Sequence, residues 1–211
     1  SSFGKGVELV WGLPPVITEE RMARMEVKIR RMIDSGQRSF LLAHPGQVAF
    51  FKGSREVRLY GDYTLNVLNA ELFMALKSAG LKQIIAAIET DSINLSAMCR
   101  AAGRDLGMVI YARPPLFTSR AVEGHLKYGK TFLSPRKEPF ELRRFEGMTV
   151  ALAEEAFSIL DKRAELARMG AGFGLVDLRF HRPVKHLLSS LLSGGRKRQR
   201  SSSFNFNSTL M

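Results

Sequence analysis

The sequence predicts an α/β protein: a partial (β/α) TIM-type barrel of parallel strands that carries a β-hairpin insertion. Three observations lead there. Short apolar runs alternate with segments of helical periodicity along most of the chain. The connections between them are short, as in repeated βαβ units. One run, "QIIAAIE", is apolar almost throughout, the pattern of a strand covered on both faces. Six segments read as parallel strands: 7–11, 39–43, 57–60, 83–88, 108–112 and 175–180. A closed eight-stranded barrel needs two more. The chain therefore reads as the later part of such a barrel or as an open doubly wound sheet.

The first strand, "VELVW", stops at "GLPPV", because prolines cannot continue a ladder. Thr18 stands where a helix cap belongs, with Glu19 and Glu20 in the first turn and Arg30 and Arg31 near the end, an order that suits the helix dipole. Met22, Met25, Ile29, Met32 and Ile33 recur at helical spacing and read as core packing; Gly36 ends the helix. The strand "SFLLAH" ends at His44, and "EVRLY" ends at Gly61. A helix from about Ala70 to Ala79 carries Leu72, Phe73 and Leu76. "QIIAAIE" ends at Glu89, and Ser92 is placed to cap a helix bearing Leu95, Met98, Cys99 and Ala102. "MVIYA" is the next strand and leads into Arg113.

The repetition breaks over residues 127–152. Pro135 and Pro139 bracket a turn there, and Phe140 and Leu142 alternate with charged neighbours, which predicts the hairpin insertion. It resumes with a helix from about Ser158 to Met169 and the strand "LVDLRF". "GAGFG" (170–174) precedes a strand instead of following one, so it reads as a helix C-cap and turn and not as a dinucleotide loop. A last helix starts at Pro183, with Leu187, Leu188, Leu191 and Leu192 on one side. Residues 1–193 read as one domain and 194–211 as a basic, mobile tail.

Composition narrows the class. The chain has 211 residues, 45% hydrophobic and 25% charged, an ordinary globular mixture. No apolar run is long enough to cross a membrane. The start lacks a signal-peptide core and does not begin with Met, which suggests a shortened or processed N-terminus. The single cysteine, Cys99, excludes an internal disulfide and any cysteine-cluster metal site, and a reducing cytoplasm fits. The net charge of +12, concentrated in part in "GGRKRQRSSS", would attract RNA or an acidic partner. Phe204 and Phe206, beside those arginines, suit base stacking or docking onto the body.

In parallel α/β folds, ligands sit beyond the carboxyl ends of the strands. Residues at those ends are His44, Asp62, Asn66, Asn69, Glu89, Arg113, Arg120 and Arg179. Asn69 also suits a helix N-cap. Asp62 and Asn66 are less easily assigned to capping, although Asp62 suits a turn through its own backbone. Glu89 follows an apolar run, so its carboxyl is expected to be partly desolvated and to pair with Arg113. It is the candidate proton acceptor or water-orienting base. His44, His125, His181 and His186 have no zinc-type spacing, and each reads as a lone histidine. No nucleophile elbow, zinc-protease helix or phosphate-loop lysine is present.

"VWGLPPV", "YGDYTLNVLNA", "IETD", "VIYARPPLFTSR", "EEAFSILDKRAELARMGAG", "VDLRF" and "FNFN", in this order, resemble the collagenase-like peptidase family of unassigned catalytic type (family U-32). The resemblance spans nearly the whole chain, and the "GD-aromatic-x-L-N-x-x-N" segment is its most specific part. It implies a barrel fold of which this chain is the later portion. It also implies either proteolysis or a role in RNA-base or ubiquinone hydroxylation with an iron–sulfur cluster on four cysteines. The first of those cysteines usually follows "SR"; here Ala121 follows "TSR", and the later cysteines are missing. A cluster needs thiolate ligands, so no cofactor and no metal is expected.

Three functions follow as expectations. The first is a peptidase-like hydrolase, with Glu89 or Asp62 activating water and Asn66, Asn69, Arg113, Arg120 and His44 binding a peptide or protein substrate. The second is an RNA-binding or modification-associated protein. The third is a non-catalytic binding protein. Open sheet edges would favour self-association.

Overall fold

The computed structural model describes residues 7–120, 127–135, 137–181 and 201–207. The helix expected from Pro183, the position after "TSR", His125, His186 and the arginines of the tail lie outside the described residues. The chain divides into two compact units. The first comprises 1–109, 165–174 and 205–211, and the second 110–164 and 175–204.

The first unit is wound as the sequence predicts. Its strands β1 (Trp11–Gly12), β2 (Ser39–Leu42), β3 (Arg58–Gly61), β4 (Leu81–Ile85) and the start of β5 (Leu106–Ala112) are parallel and lie in chain order. Helices α1 (Glu19–Asp34), α2 (Ala70–Ser78) and α3 (Ser92–Ala102) supply crossovers. Sequential order without reversal is the winding of a TIM-type barrel; a doubly wound sheet reverses at a switch point. The fold is therefore α/β, part of such a barrel. Phe40, Leu42, Phe73, Ile84, Leu95, Met98 and Leu106 fill the core.

Several expected details are corrected. The stripe of α1 is core only in part: Ile29 is buried, Met25, Met32 and Ile33 are half-buried, and Met22 is 43% exposed. Thr18 holds the cap position without a side-chain bond, whereas Asp91, not Ser92, caps α3 by accepting the Asn94 N–H at 2.7 Å. β4 begins and ends earlier than expected, because the Ala87 N–H leaves the ladder for Val67 O at 3.0 Å. The helix expected from Ser158 begins only at Arg163, after a 3-10 turn at Leu160–Lys162; it forms α4 (Arg163–Met169). Gly170, at φ +98°, ends α4 as the sequence suggests.

Gly107 in β5 has no room for a side chain, since an added Cβ would lie 2.4 Å from the Phe173 ring. Gly107→Ala is expected to cost about 2 kcal/mol by overpacking, seen as a lower urea midpoint with an unchanged slope.

The second unit holds the insertion, which is larger than one hairpin. β6 (Pro115–Ser119), β7 (Thr131–Leu133), β8 (Pro139–Phe145) and β9 (Met148–Ala153) form a four-stranded antiparallel sheet in the order β6-β9-β8-β7. Glu146 and Gly147, at φ 51° and 82°, turn β8 into β9 with both residues left-handed, as a two-residue hairpin loop requires. β10 (Ala156–Ser158) runs antiparallel to the end of β5. β11 (Phe173–Val176) also pairs with β5 and is shorter than the strand expected over 175–180.

The described part of the tail is ordered. In the second unit, β12 (Ser201–Ser202) pairs parallel with β10, and the Phe204 ring lies 5.2 Å from that of Phe157. In the first unit, Phe206 is fully buried and its carbonyl accepts the Ser92 N–H at 3.1 Å. Docking, one of the two roles expected of these rings, is what Phe206 shows in full, while Phe204 is half-buried.

Candidate functional site around Tyr111 and His181

In the first unit, the strand-end polar residues mostly hold the backbone. The Asp62 carboxylate is 2% exposed and accepts the Tyr63 N–H at 2.8 Å, capping a 3-10 turn over Tyr63–Leu65. The turn through its own backbone that Asp62 suits in sequence is thus the observed role, as the cap of this 3-10 turn. Asn66 closes that turn in the left-handed region, φ 58°, which Asn tolerates, and its side chain is exposed. Asn69 caps α2, accepting the Leu72 N–H at 2.9 Å. Gly61 lets Leu65, Leu81 and Ile84 close over the end of β3. The "YGDYTLNVLNA" stretch is therefore consecutive capping chemistry.

His44 is exposed; its Nδ1 accepts the Gly46 N–H at 3.1 Å. The neighbouring Gln47 is buried, accepts the Ala43 N–H at 2.9 Å and donates to Pro14 O at 2.7 Å. His44 and Gln47 line a cleft of about 340 Å³ with Pro15, Val16 and Phe50. Glu89 sits in a turn and is exposed, so the desolvated carboxyl expected there is not formed.

The second unit concentrates its polar chemistry at the end of β5. Arg113 donates to Glu141 at 3.0 Å and to Ala153 O at 2.8 Å, so its carboxylate partner is Glu141 in place of Glu89. Glu141 also binds Arg143 at 2.7 Å, and Arg143 donates to Phe180 O at 3.1 Å. The two guanidiniums hold the Glu141 carboxyl below its ordinary range despite its partial burial, the hydrogen bond from Arg143 being the largest cause. Arg120 is exposed and directly follows β6 of the antiparallel sheet.

Two residues that the sequence did not single out for chemistry meet here. β5 is buried along its whole length, and Tyr111 within it is 3% exposed. The Asp177 N–H donates to Tyr111 O at 2.8 Å, which lays the segment after β11 beside the Tyr111 backbone. Asp177 then turns the chain: it accepts the Arg179 N–H at 2.9 Å and binds the Arg179 guanidinium at 2.7 Å. His181 N–H donates to Leu178 O at 3.1 Å, and the His181 ring stands 5.0 Å from that of Tyr111. Phe180 anchors the turn between Val150, Leu152 and Phe145.

Among the described residues, Tyr111 Oη and His181 Nε2 are buried without a hydrogen-bond partner. Such atoms cost free energy unless something else satisfies them. Burial, then the positive charge of Arg113, pushes the His181 pKa below 6.5, while burial raises that of Tyr111. At neutral pH the pair is a neutral imidazole and a neutral phenol. With its proton on Nδ1, the imidazole offers an acceptor at Nε2, and the phenol offers a donor. The one signal in the sequence was a tyrosine inside an otherwise apolar strand, since a buried Tyr hydroxyl ordinarily finds a partner.

Among the described residues, no group of three or more His, Cys, Asp or Glu is placed to hold a metal ion, and no helix is long and apolar enough to cross a membrane. Comparison with protein-family models, curated proteins and solved structures returned no match to the chain.

Proposed function

We propose that this chain is a peptide-directed protein of the collagenase-like peptidase type, a hydrolase whose site is built on Tyr111 and His181. The observation that supports this reading is the pair of buried, unpartnered atoms, Tyr111 Oη and His181 Nε2, on adjacent rings. A peptide group offers the complement, a carbonyl for the phenol to bond and an N–H for the imidazole. Both protein atoms are shut off from solvent, so a substrate must displace the side chains around them, and bonds formed there act in a low dielectric.

For hydrolysis, Tyr111 Oη–H donates to the scissile carbonyl oxygen, and His181 Nε2 takes a proton as water adds to the carbonyl carbon. The same proton passes to the departing amine nitrogen as the C–N bond breaks. Glu89 and Asp62 drop out of the lead role, Glu89 by its exposure and Asp62 by its cap.

The test is cleavage of gelatin and short peptides, with peptide affinity measured in parallel. Tyr111→Phe and His181→Gln are expected to lose at least about tenfold in both, as for loss of one buried hydrogen bond, while Glu89→Gln keeps the wild-type values. Wild-type behaviour in both site variants would refute the assignment. Affinity without cleavage would leave peptide binding and remove hydrolysis. The alternative of an RNA-associated protein rests on the charge of +12.

A further inference from the structure

The outer face of α1 carries a groove of about 590 Å³. Its walls are two neighbouring helical rows spaced four residues apart: Ala23, Val27 and Arg31 on one side, and Arg24, Lys28 and Met32 on the other. Rows of this kind are the ridges between which a second helix seats a ridge of its own. The groove is open and apolar between its cations: Val27 is 51% exposed, and α1 buries only Ile29. A lone helix this poorly covered gains little from its own packing. Trp11 of β1 is 40% exposed and lies under the Lys28 ammonium, 5.1 Å from ring centre to nitrogen, which extends the apolar surface towards the sheet edge.

The charges decide the occupant. All three ionic residues that line the groove are cations, Arg24, Lys28 and Arg31. The ion pair of Arg30 with Glu26, at 3.8 Å on α1, stands off these rows. A second copy of this chain would bring the same cations against them and add a second net charge of +12. We propose that the groove docks an acidic amphipathic helix of another protein. That helix seats one apolar ridge between the two rows and aims flanking glutamates or aspartates at Arg24, Lys28 and Arg31. The surface lies in the first unit, so it stands independently of the site around Tyr111 and His181.

The probe is a synthetic helical peptide with leucine at every fourth position and glutamate beside each leucine. Its controls are the same peptide with lysine for glutamate and a scrambled order. Binding to the full chain is read by fluorescence anisotropy at several salt concentrations, and the mass of the protein alone by light scattering. The acidic peptide is expected to bind with an affinity that falls as salt rises. The triple variant Arg24→Glu, Lys28→Glu, Arg31→Glu is expected to lose at least about tenfold and to bind the lysine peptide instead. Val27→Asp tests the apolar wall and is expected to weaken the acidic peptide too. These side chains are exposed, so the variants are expected to keep the wild-type circular dichroism and melting point. Equal binding of the scrambled peptide, indifference to charge reversal, no binding at all, or a dimer broken by Val27→Asp would overturn the proposal.

Discussion

Phe206→Ala is expected to lower the unfolding free energy by about 4 kcal/mol, the range for emptying a fully buried aromatic site. Phe206 has no solvent exposure although it belongs to a segment whose composition reads as a loose tail. Its backbone also works for α3: the carbonyl accepts the Ser92 N–H at 3.1 Å, one of the orphan donors at a helix start, while Asp91 satisfies the Asn94 N–H. Asn205 Nδ2 reaches Glu89 O at 3.4 Å alongside. The variant loses the ring and loosens the cap. Urea unfolding checks this; a loss under about 1 kcal/mol would mean that the ring does not occupy its place in solution.

Glu141→Gln is expected to cost about 3 kcal/mol, towards the lower end of the range for breaking a buried pair because both partners keep some exposure. The substitution leaves Arg113 and Arg143 as close cations without their shared carboxylate. The effect carries a pH signature. The Glu141 pKa is lowered in the fold, so its contribution is present above the ordinary value of 4.5 and is lost as pH falls through the folded value. His181 is lowered as well: the unfolded chain takes up its proton near pH 6.5 while the folded chain resists, so acid again disfavours the fold. Wild-type stability should fall in two stages as pH drops, the first beginning near pH 6.5 and the second lying below pH 4.5. Glu141→Gln should retain the upper stage and show a smaller lower one, to which Glu8, held down by its hydrogen bond to Ser39, still contributes. Unfolding midpoints across that pH range decide the matter, and a variant with the full wild-type acid response would contradict the assignment.

The parallel core was legible because β2, β3, β4 and β5 are apolar runs bounded by glycine or a turn, and their chain order needed no long-range information. Element ends were less legible. "QIIAAIE" is apolar almost throughout, yet the strand stops at Ile85: the Ala86 N–H still reaches Gly107 O of β5, but the Ala87 N–H turns to Val67 O, and a hydropathy pattern does not register that departure. The stripe in α1 misled for the opposite reason: helical spacing shows that residues share a face, and says nothing of whether a neighbour covers it. Asp62 was misjudged because a three-residue 3-10 turn has no period to detect. Tyr111 and His181 lie far apart in sequence, and their meeting depends on the pairing of β11 with β5 and on the turn at Asp177.

The docking of residues 205–207 has a consequence for biosynthesis. The first unit is assembled from 1–109, 165–174 and 205–211, so it is discontinuous along the chain. A ribosome working from the N-terminus delivers the strands and helices of this unit well before its aromatic plug. Until then the start of α3 and the apolar niche beside it stand open, a stretch of time in which chaperones or unwanted neighbours have access to them. The final closure of this unit therefore waits for a segment made well after α3.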